Sequence, residues 1–170
     1  EDVIAEMEGW YSCTSDTPDF WRRESEPYPS HGRRFTGEPA YFKHIIKAGR
    51  KLMEKMNLSP SDIDYFVSHQ PNVRYPIKAA KALGFKEDQY MPGLQVTNFG
   101  NTYSGSSPVG LASVLDVAEP YQRIMLVSYG SGAGSDAYSF MTTPQILDKR
   151  DRQKFTVRSQ VESKFKEFVD

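Results

Sequence analysis

Along most of this chain, segments whose apolar residues recur at helical spacing alternate with short, continuous apolar segments typical of strands. From Thr36 to Met56 apolar residues recur at helical spacing, and a row of lysines lies on the other side of the same segment. The predicted strands are residues 3–15, 65–68, 124–127 and 137–141, and the predicted helices are 36–56, 73–84 and 104–117. Strands that alternate with helices predict a layered α/β domain.

Residues 16–35 lack the composition of a regular element. They hold three prolines among aromatic and arginine side chains, which predicts a long loop. The aromatic residues indicate that this loop is packed down and ordered, and ordered loops of this length are commonly functional. Residues 94–96 are predicted to be extended. The polar residues 145–158 are predicted to link the domain to a last amphipathic helix, which is cut off at Asp170. The abrupt start and this cut indicate that residues 1–170 are part of a longer protein.

Charge and cysteine content exclude several classes of function. Twenty-one basic and twenty-two acidic residues give a formal net charge of −1, so nothing favours nucleic acid or an anionic membrane as a partner. The acidic start does not have the pattern of a signal peptide. The single cysteine, Cys13, excludes an internal disulfide and a cysteine-based zinc site. We therefore expect a cytoplasmic protein that does not insert into a membrane.

His69 directly follows the predicted strand 65–68, at a strand end where α/β proteins commonly place ligand-binding groups. An imidazole there can polarise a carbonyl group or transfer a proton near neutral pH. The alternative interpretation is a histidine that caps the strand through a hydrogen bond and has no chemical role. The residues alone leave both interpretations open.

Small residues surround Asn101 and open the next predicted helix. Glycines and serines over residues 100–107 allow a ligand to approach the backbone, and a helix N-terminus presents unpaired N–H groups. The carboxamide of Asn101 can donate a hydrogen bond to a carbonyl oxygen, as an oxyanion hole requires. The alternative is a helix cap whose small residues allow close helix packing.

The glycine-rich residues 130–134 suggest phosphate binding only superficially. A dinucleotide-binding fingerprint opens a helix, whereas a predicted strand follows here at residues 137–141. We therefore predict a hairpin turn whose backbone borders a pocket, and no nucleotide site.

Three further candidate residues lack the surroundings that catalysis or metal binding requires. Cys13 has no basic cluster beside it, so it is predicted to be a small buried filler. His31 and His44 lie in the loop and in the lysine-bearing helix, and both are predicted to be exposed to solvent. No spacing typical of metal ligands connects them, so we predict no metal site.

Five segments, taken together, resemble one family. They are TPDFWRR at residues 17–23, RFTGEPAYF at 34–42, HQPN at 69–72, GNTYSGS at 100–106 and SYGSG at 128–132. In this order and spacing they resemble the archaeal type of 3-hydroxy-3-methylglutaryl-CoA synthase, in the thiolase superfamily, along the whole chain. The resemblance implies that residues 1–170 are the C-terminal half of a thiolase-like layered fold, with a mixed sheet packed against helices.

The family condenses acetyl-CoA with acetoacetyl-CoA through an acetyl-cysteine intermediate, on the mevalonate route to isoprenoids. The resemblance implies two catalytic residues: His69 binds and polarises the acetoacetyl group, and Asn101 holds the thioester oxygen of the same substrate. The implied substrate-binding residues are Tyr103 and Ser128, which line the pocket, and Arg74 and Lys78, which face the phosphates of CoA. No cofactor is implied beyond the two CoA substrates.

The nucleophilic cysteine and the base glutamate of the family belong to its N-terminal half, and Cys13 does not occupy the context of that nucleophile. The resemblance therefore implies that this chain is inactive without the N-terminal half. We expect tight association with that half and then a homodimer of the completed enzyme. For archaeal relatives the resemblance also implies assembly with an acetoacetyl-CoA thiolase and a small zinc-containing acyl-CoA shuttle protein.

Two alternatives stay open at this point. A ketoacyl synthase III-like condensing enzyme shares the histidine and asparagine pair and uses a malonyl group with loss of carbon dioxide. Such enzymes typically have a run of alanines where this chain has Tyr103, Ser104 and Gly105. The other alternative is a non-catalytic thiolase-fold subunit that binds acyl-CoA, although such a subunit would not need both His69 and Asn101 in a pocket.

Overall fold

The fold is taken from a computed structural model and is described for residues 3–152 and 155–169. Within those residues a four-stranded mixed sheet has the order β1-β6-β5-β4, in which β4 and β5 are parallel and the other pairs are antiparallel. A separate pair, β2 and β3, lies in the loop that follows β1. The strands are β1 Ala5–Thr17, β2 Phe20–Trp21, β3 Ser30–His31, β4 Tyr65–Ser68, β5 Arg123–Val127 and β6 Gly132–Thr142.

Helices occupy both faces of the sheet. Helix α1 packs on β1 and β6, whereas α5 packs on the other face, against β4 and β5. The helices are α1 Phe42–Met56, α2 Arg74–Leu83, α3 Glu87–Tyr90, α4 Val96–Phe99, α5 Ser106–Leu115, α6 Gln145–Arg152 and α7 Val157–Val169. The alternation of strands and helices predicted from the sequence is confirmed. No helix in the described part of the chain is long and apolar enough to cross a membrane.

The core between the sheet and α1 follows the apolar period of that helix. Ile45, Ala48 and Leu52 are fully buried, while the lysine row faces solvent. The predicted start of the helix at Thr36 was wrong. Residues Thr36–Tyr41 form a separate wide turn, and the regular helix begins at Phe42. Since the backbone at Glu38 is non-helical and a proline follows it, the helix cannot extend further back.

The loop over residues 16–35 is ordered at its ends and exposed in its middle. Strand β1 extends to Thr17, and the next residues form the β2–β3 pair. Asp19 is completely buried, whereas Tyr28 is 79 % exposed. Trp21 and Phe35 are also exposed, at 37 % and 38 %. The prediction that aromatic residues pack this loop down was therefore wrong, and the residue of the loop that is completely buried is Asp19.

Two segments differ from their predictions. The structure places helix α6 over the first part of the predicted linker 145–158, because Ile146 is buried in the core and Arg150, one turn later, donates to the Ala118 carbonyl oxygen at 2.8 Å. Residues 94–96 do not form an extended piece. Val96 instead begins the short helix α4.

One ion pair connects the edge strand β1 to β5 across β6. Both guanidinium nitrogens Nε and Nη2 of Arg123 donate to the two carboxylate oxygens of Glu8, at 2.7 and 2.9 Å. Ser139 on the strand between them donates to the same carboxylate at 2.9 Å. Both charged side chains are more than three-quarters buried. The hydrogen bond from Arg123 is the main reason that the pKa of Glu8 is lowered.

We expect Glu8→Gln to lower the free energy of unfolding by ~2 kcal/mol, because a charged, two-point hydrogen bond is lost in a partly buried place. Urea unfolding followed by circular dichroism measures the change. Since the pKa of Glu8 is lowered, the advantage of the wild type is complete above the ordinary value of 4.5 and disappears as pH falls through the folded-state value. The control Glu54→Gln, in an exposed pair with Lys51, should cost less than about 0.5 kcal/mol. Equal costs for the two variants would contradict the assignment.

Candidate active site

The parallel strands β4 and β5 end at the same edge of the sheet and bring two predicted site residues together. His69 follows β4, and its amide donates to the Val127 carbonyl oxygen at 3.0 Å. Ser128 is the next residue after β5. The carboxyl ends of parallel strands are where α/β proteins form their crevices, and cavities are found at this edge.

His69 lines two neighbouring cavities, of about 550 and 460 Å³. Among the described residues, the structure gives its ring nitrogens no hydrogen-bond partner. Burial lowers the pKa of this imidazole below its ordinary value, because the charged form is poorly solvated there. The ring is therefore neutral at pH 7, with one nitrogen able to donate and the other able to accept a hydrogen bond.

Asn101 lines the smaller of the two cavities, on which His69 also lies. Its Oδ1 atom accepts a hydrogen bond from the amide of Tyr103 at 2.9 Å. The Nδ2 amine has no protein acceptor within the described part of the chain. The carboxamide is thus held by its oxygen and keeps its donor end for a ligand, which is the orientation that binding of a carbonyl oxygen requires.

Tyr103 and Ser128 lie on the cavity walls. Tyr103 lines both cavities and is 75 % exposed, and its backbone is left-handed with a φ of 52°. Ser128 lines the larger cavity together with Asp136, whose amide donates to the Ser128 hydroxyl at 3.2 Å. The four residues His69, Asn101, Tyr103 and Ser128 are therefore brought to one edge of the sheet.

Arg74 and Lys78 are not part of these cavity walls. They lie one turn apart on the exposed side of α2, the helix that follows His69. The ammonium group of Lys78 contacts the carboxylate of Glu38 at 3.1 Å and lies 4.2 Å from the ring centre of Phe42. The structure thus places both cations on the surface outside the cavities that His69 lines.

Two tyrosines flank His69. The Tyr41 hydroxyl donates to the carbonyl oxygen of His69 at 2.6 Å, and its ring lies 5.3 Å from that of Tyr129. Tyr129 lines both cavities and has its ring centre 6.2 Å from the His69 ring. Burial raises the pKa of both phenols, so each stays protonated and can act as a donor.

Asp19 is a site residue to which the sequence analysis gave no role. It is completely buried, and its carboxylate accepts the Tyr129 hydroxyl at 2.5 Å and the Gly132 amide at 2.8 Å. These contacts attach the start of the 16–35 loop to the glycine turn beside His69. The turn is a hairpin between β5 and β6, as predicted. The available signal was an acidic residue inside the TPDFWRR segment, since a carboxylate among aromatic residues must find donors when buried.

His44 corrects one prediction and Cys13 supports another. His44 is buried, not exposed, because it lies one turn from Ala48 and Tyr41 on the inner face of α1. Its ring bonds to the Ala40 carbonyl and the Ser15 hydroxyl, each at 2.6 Å. Cys13 is buried, and burial raises the pKa of its thiol. His31 is exposed, as predicted.

The geometry favours binding of a carbonyl compound. A neutral imidazole and a carboxamide donor lie on one cavity whose remaining wall is largely aromatic, so a ligand carbonyl can meet donors without a formal positive charge. Within residues 3–152 and 155–169 no three His, Cys, Asp or Glu side chains are grouped to hold a metal ion.

Comparison with known proteins decides the family. Residues 53–140, just over half of the chain, match the family described as 3-oxoacyl-[acyl-carrier-protein] synthase III C terminal. The chain belongs to this family. Its curated relatives include the hydroxymethylglutaryl-CoA synthases of Methanopyrus kandleri, 61 % identical over 150 residues, and Picrophilus torridus, 54 % identical over 170 residues. The matched regions cover 88 % and 100 % of this chain but 43 % and 48 % of those relatives, so the chain spans about half their length.

The solved structures place the fold in the same group. A complex of MvaS with 3-hydroxy-3-methylglutaryl coenzyme A superposes with a TM-score of 0.74 at 19 % identity, covering 94 % of this chain and 47 % of that one. The synthase III C-terminal family and this neighbour confirm a thiolase-like fold with a mixed sheet packed against helices. The resemblance to archaeal-type hydroxymethylglutaryl-CoA synthase is confirmed by the sequence relatives.

We expect Asp19→Ala and Tyr129→Phe to show coupled effects on stability. Each removes one end of the same buried hydrogen bond, so the double variant should lose less than the sum of the single losses. An interaction energy of about 1–3 kcal/mol is typical for such contacts. Urea unfolding of the four forms measures it. Asp16→Ala, an exposed carboxylate in the same loop, serves as the control and should be additive with Tyr129→Phe. Additive losses for Asp19 and Tyr129 would contradict the coupling.

Proposed function

We propose that this chain supplies the acetoacetyl-CoA side of a hydroxymethylglutaryl-CoA synthase, an acyltransferase that condenses acetyl-CoA with acetoacetyl-CoA through an acetyl-cysteine. The observation that carries the proposal is that His69 and Asn101, 32 positions apart in the sequence, line one 460 Å³ cavity. The similarity to archaeal synthases over nearly the whole chain supports it.

His69 and Asn101 act on the two carbonyl groups of acetoacetyl-CoA. The carbanion of the acetyl group attacks the ketone carbon, a carbon–carbon bond forms, and the ketone oxygen becomes an alkoxide. His69, neutral and with one N–H, donates a hydrogen bond to that oxygen as its negative charge develops. The ring proton then moves to the oxygen while the other ring nitrogen takes a proton from water, so the imidazole stays neutral. The free Nδ2 of Asn101 binds the thioester oxygen of the same substrate, which fixes the ketone near the imidazole. No cofactor takes part besides the CoA substrates.

The cavity walls suit the rest of the substrate. Tyr103 and Tyr129 present ring surfaces to the cavities, and Ser128 presents a hydroxyl, so the pantetheine chain and the acyl end meet both apolar and polar partners. Arg74 and Lys78 bind the phosphates of CoA on the surface outside. Lys78 must then exchange its exposed contact with Glu38 for a phosphate, which is a small loss because exposed ion pairs are weak.

The nucleophile and the base come from the N-terminal half of the enzyme. Cys13 is buried with a raised thiol pKa and lines neither cavity, which argues against it as the nucleophile. Leu111 and Phe140, half-buried here, line the larger cavity and form an apolar surface on the α5 side of the sheet. We propose that the N-terminal half covers this surface and brings the cysteine and glutamate to the cavity that His69 lines.

Larger assemblies and location follow from the same proposal. We propose a homodimer of the completed enzyme in the cytoplasm, acting on the mevalonate route to isoprenoids. Association with an acetoacetyl-CoA thiolase and a zinc-containing acyl-CoA shuttle protein would pass the substrate on without release. Gel filtration of co-expressed chains tests each of these contacts.

A ketoacyl synthase III-like condensation is the second candidate, favoured by the family to which residues 53–140 belong. That reaction uses a malonyl thioester and releases carbon dioxide. Assays of the assembled enzyme with acetoacetyl-CoA and with malonyl thioesters separate the two. Carbon dioxide release from a malonyl thioester would favour the second candidate over the synthase. Binding of CoA thioesters without turnover by the assembled protein would instead favour a non-catalytic subunit.

We expect no CoA release by this chain alone and release of CoA after it is combined with the N-terminal half, because nucleophile and base are then present. In the combined enzyme, His69→Ala should lower the condensation rate roughly 10²- to 10³-fold, the usual loss for a donor to a developing oxyanion. Asn101→Ala should lower it roughly 10²-fold, because the ketone is no longer held in place. The assay measures free thiol and hydroxymethylglutaryl-CoA. His31→Ala, an exposed histidine, is the control and should keep full activity. Turnover by the 170 residues alone would refute the division of roles.

The condensation rate should fall at acidic pH as His69 becomes protonated. Since burial lowers the pKa of His69 below 6.5, the neutral ring persists at pH 6.5 and is lost only as pH falls through the lowered value. Rates from pH 5 to 8 should therefore show an acid limb, and NMR titration of the His69 ring should give the same pKa. An imidazole that titrates above its ordinary value would contradict both expectations.

A further inference from the structure

We infer that Gln70 is a positioning residue that fixes the spacing between His69 and Asn101, and the inference rests on the function proposed for those two residues. Gln70 follows His69 directly, is 2 % exposed, and lines neither cavity that His69 lines. It cannot touch a ligand there, so any effect on the reaction passes through the residues that it holds.

The side chain of Gln70 holds the backbone of the segment that leads to Asn101. Its Oε1 accepts the amides of Gln95 and Val96 at 2.8 and 3.0 Å, and its Nε2 donates to the Gly93 carbonyl oxygen at 2.6 Å. Two acceptor bonds and one donor bond are therefore made by one buried carboxamide. Only an amide, or a protonated acid, offers that combination at this size.

Backbone hydrogen bonds continue from that segment to the site. The carbonyl oxygen of Gln95 accepts the amides of Asn98 and Phe99 at 2.9 and 3.1 Å, and that of Val96 accepts the amide of Gly100 at 2.9 Å. Asn101 is the next residue. A displacement of the held amides is thus transmitted through helix α4 to the carboxamide that binds the substrate.

Gln70 also holds the other side of the site. Its own amide donates to the Ser106 hydroxyl at the start of α5, at 2.8 Å. The preceding carbonyl, that of His69, accepts the Tyr41 hydroxyl. One residue therefore joins the end of β4, the first turn of α5 and the segment before Asn101.

The side chain of Gln70 is closely packed against Gly110, so it has space for only one conformation. A Cβ on Gly110 would lie 2.8 Å from Gln70 Nε2, 2.8 Å from the Gly93 carbonyl oxygen and 2.7 Å from a Val67 methyl. Such distances are well inside van der Waals contact, so the Cβ introduced by Gly110→Ala must displace Gln70, the Gly93 carbonyl or Val67. This variant disturbs the same contact without changing any polar group.

The test uses the complete enzyme, in which this chain is combined with its N-terminal half. Gln70→Glu keeps the acceptor for the two amides but, when ionised, sets a carboxylate oxygen against the Gly93 carbonyl oxygen. We expect condensation to slow roughly 10- to 100-fold, as for a small misplacement of a catalytic group, while acetylation of the enzyme by acetyl-CoA is unchanged. Gly110→Ala should likewise slow condensation and leave acetylation of the enzyme unchanged.

The pH profile supplies a readout that general destabilisation does not move. Protonation of the carboxylate introduced by Gln70→Glu restores a donor to Gly93, so the ratio of the variant's condensation rate to that of the wild type should rise as pH falls. His69 directly precedes the substituted residue, and Tyr90 lines the same small cavity as it. Because the new carboxylate raises the pKa of His69, the His69 titration is measured by NMR in both proteins and the rates are compared at equal fractions of neutral His69.

Gln89→Glu is the matched control. Gln89 also makes three backbone contacts, donating to Pro60 and Ile63 carbonyl oxygens at 2.8 and 2.5 Å and accepting the Lys86 amide at 2.8 Å, but it lies far from His69 in the chain and lines neither site cavity. Gln89→Glu should lower the free energy of unfolding, and it should change the rates of acetylation and condensation by the same factor. An equal loss of both half-reactions in Gln70→Glu would overturn the inference. So would the absence of any loss in Gln70→Glu across the whole pH range, together with none in Gly110→Ala.

A spectroscopic readout keeps the inference testable if the proposed function fails. The chain has four asparagines, at positions 57, 72, 98 and 101, so selective ¹⁵N labelling of asparagine gives few signals. Gln70→Glu and Gly110→Ala should both shift the side-chain amide of Asn101 and leave that of Asn57 in place, whereas Gln89→Glu should not move Asn101. An unchanged Asn101 signal in both Gln70→Glu and Gly110→Ala would overturn the inference, whatever reaction the enzyme catalyses.

Discussion

The structure depends on how the polar backbone at the end of β4 is satisfied inside the protein. Buried N–H and C=O groups without partners cost about as much as a lost hydrogen bond each. Here the amide of His69 bonds to β5, its carbonyl to Tyr41, and the next amide to Ser106. The strand end, the turn before α1 and the start of α5 are therefore joined around one peptide group, and the imidazole of His69 projects from that point.

The same requirement explains why the site is built from distant segments. A strand end can be buried only if other elements bring hydroxyl groups and carbonyls to it, and each of those elements has its own place in the core. Tyr41 lies where the wide turn meets α1, and Tyr129 lies on the glycine hairpin after β5. Asp19 attaches that hairpin to the 16–35 loop. The cavity walls are thus held by the contacts that also close the core.

This chain contains residues suited to positioning a substrate but lacks those needed for a covalent reaction. Residues that bind and orient a carbonyl can be placed by one sheet edge, because they need only fixed donors and a shaped wall. A covalent reaction needs a nucleophile and a base as well, and buried Cys13 is unsuited to supply the first of them. The division between substrate positioning on this chain and covalent chemistry elsewhere is what we propose for the completed enzyme.

Local sequence patterns were sufficient for the four strands of the main sheet, the main helices and the position of His69 at a strand end, because hydrophobic period and strand length are properties of neighbouring residues. The small residues at the start of α5 pointed to Asn101, and the family resemblance pointed to Tyr103 and Ser128. The burial of His44 was within reach of helical spacing and was missed. The partners of Asp19 and Gln70 were decided by tertiary structure alone, since a carboxylate or carboxamide bonds to whichever donors the fold brings near it. No local pattern in the sequence predicts contacts between residues that are far apart in the chain.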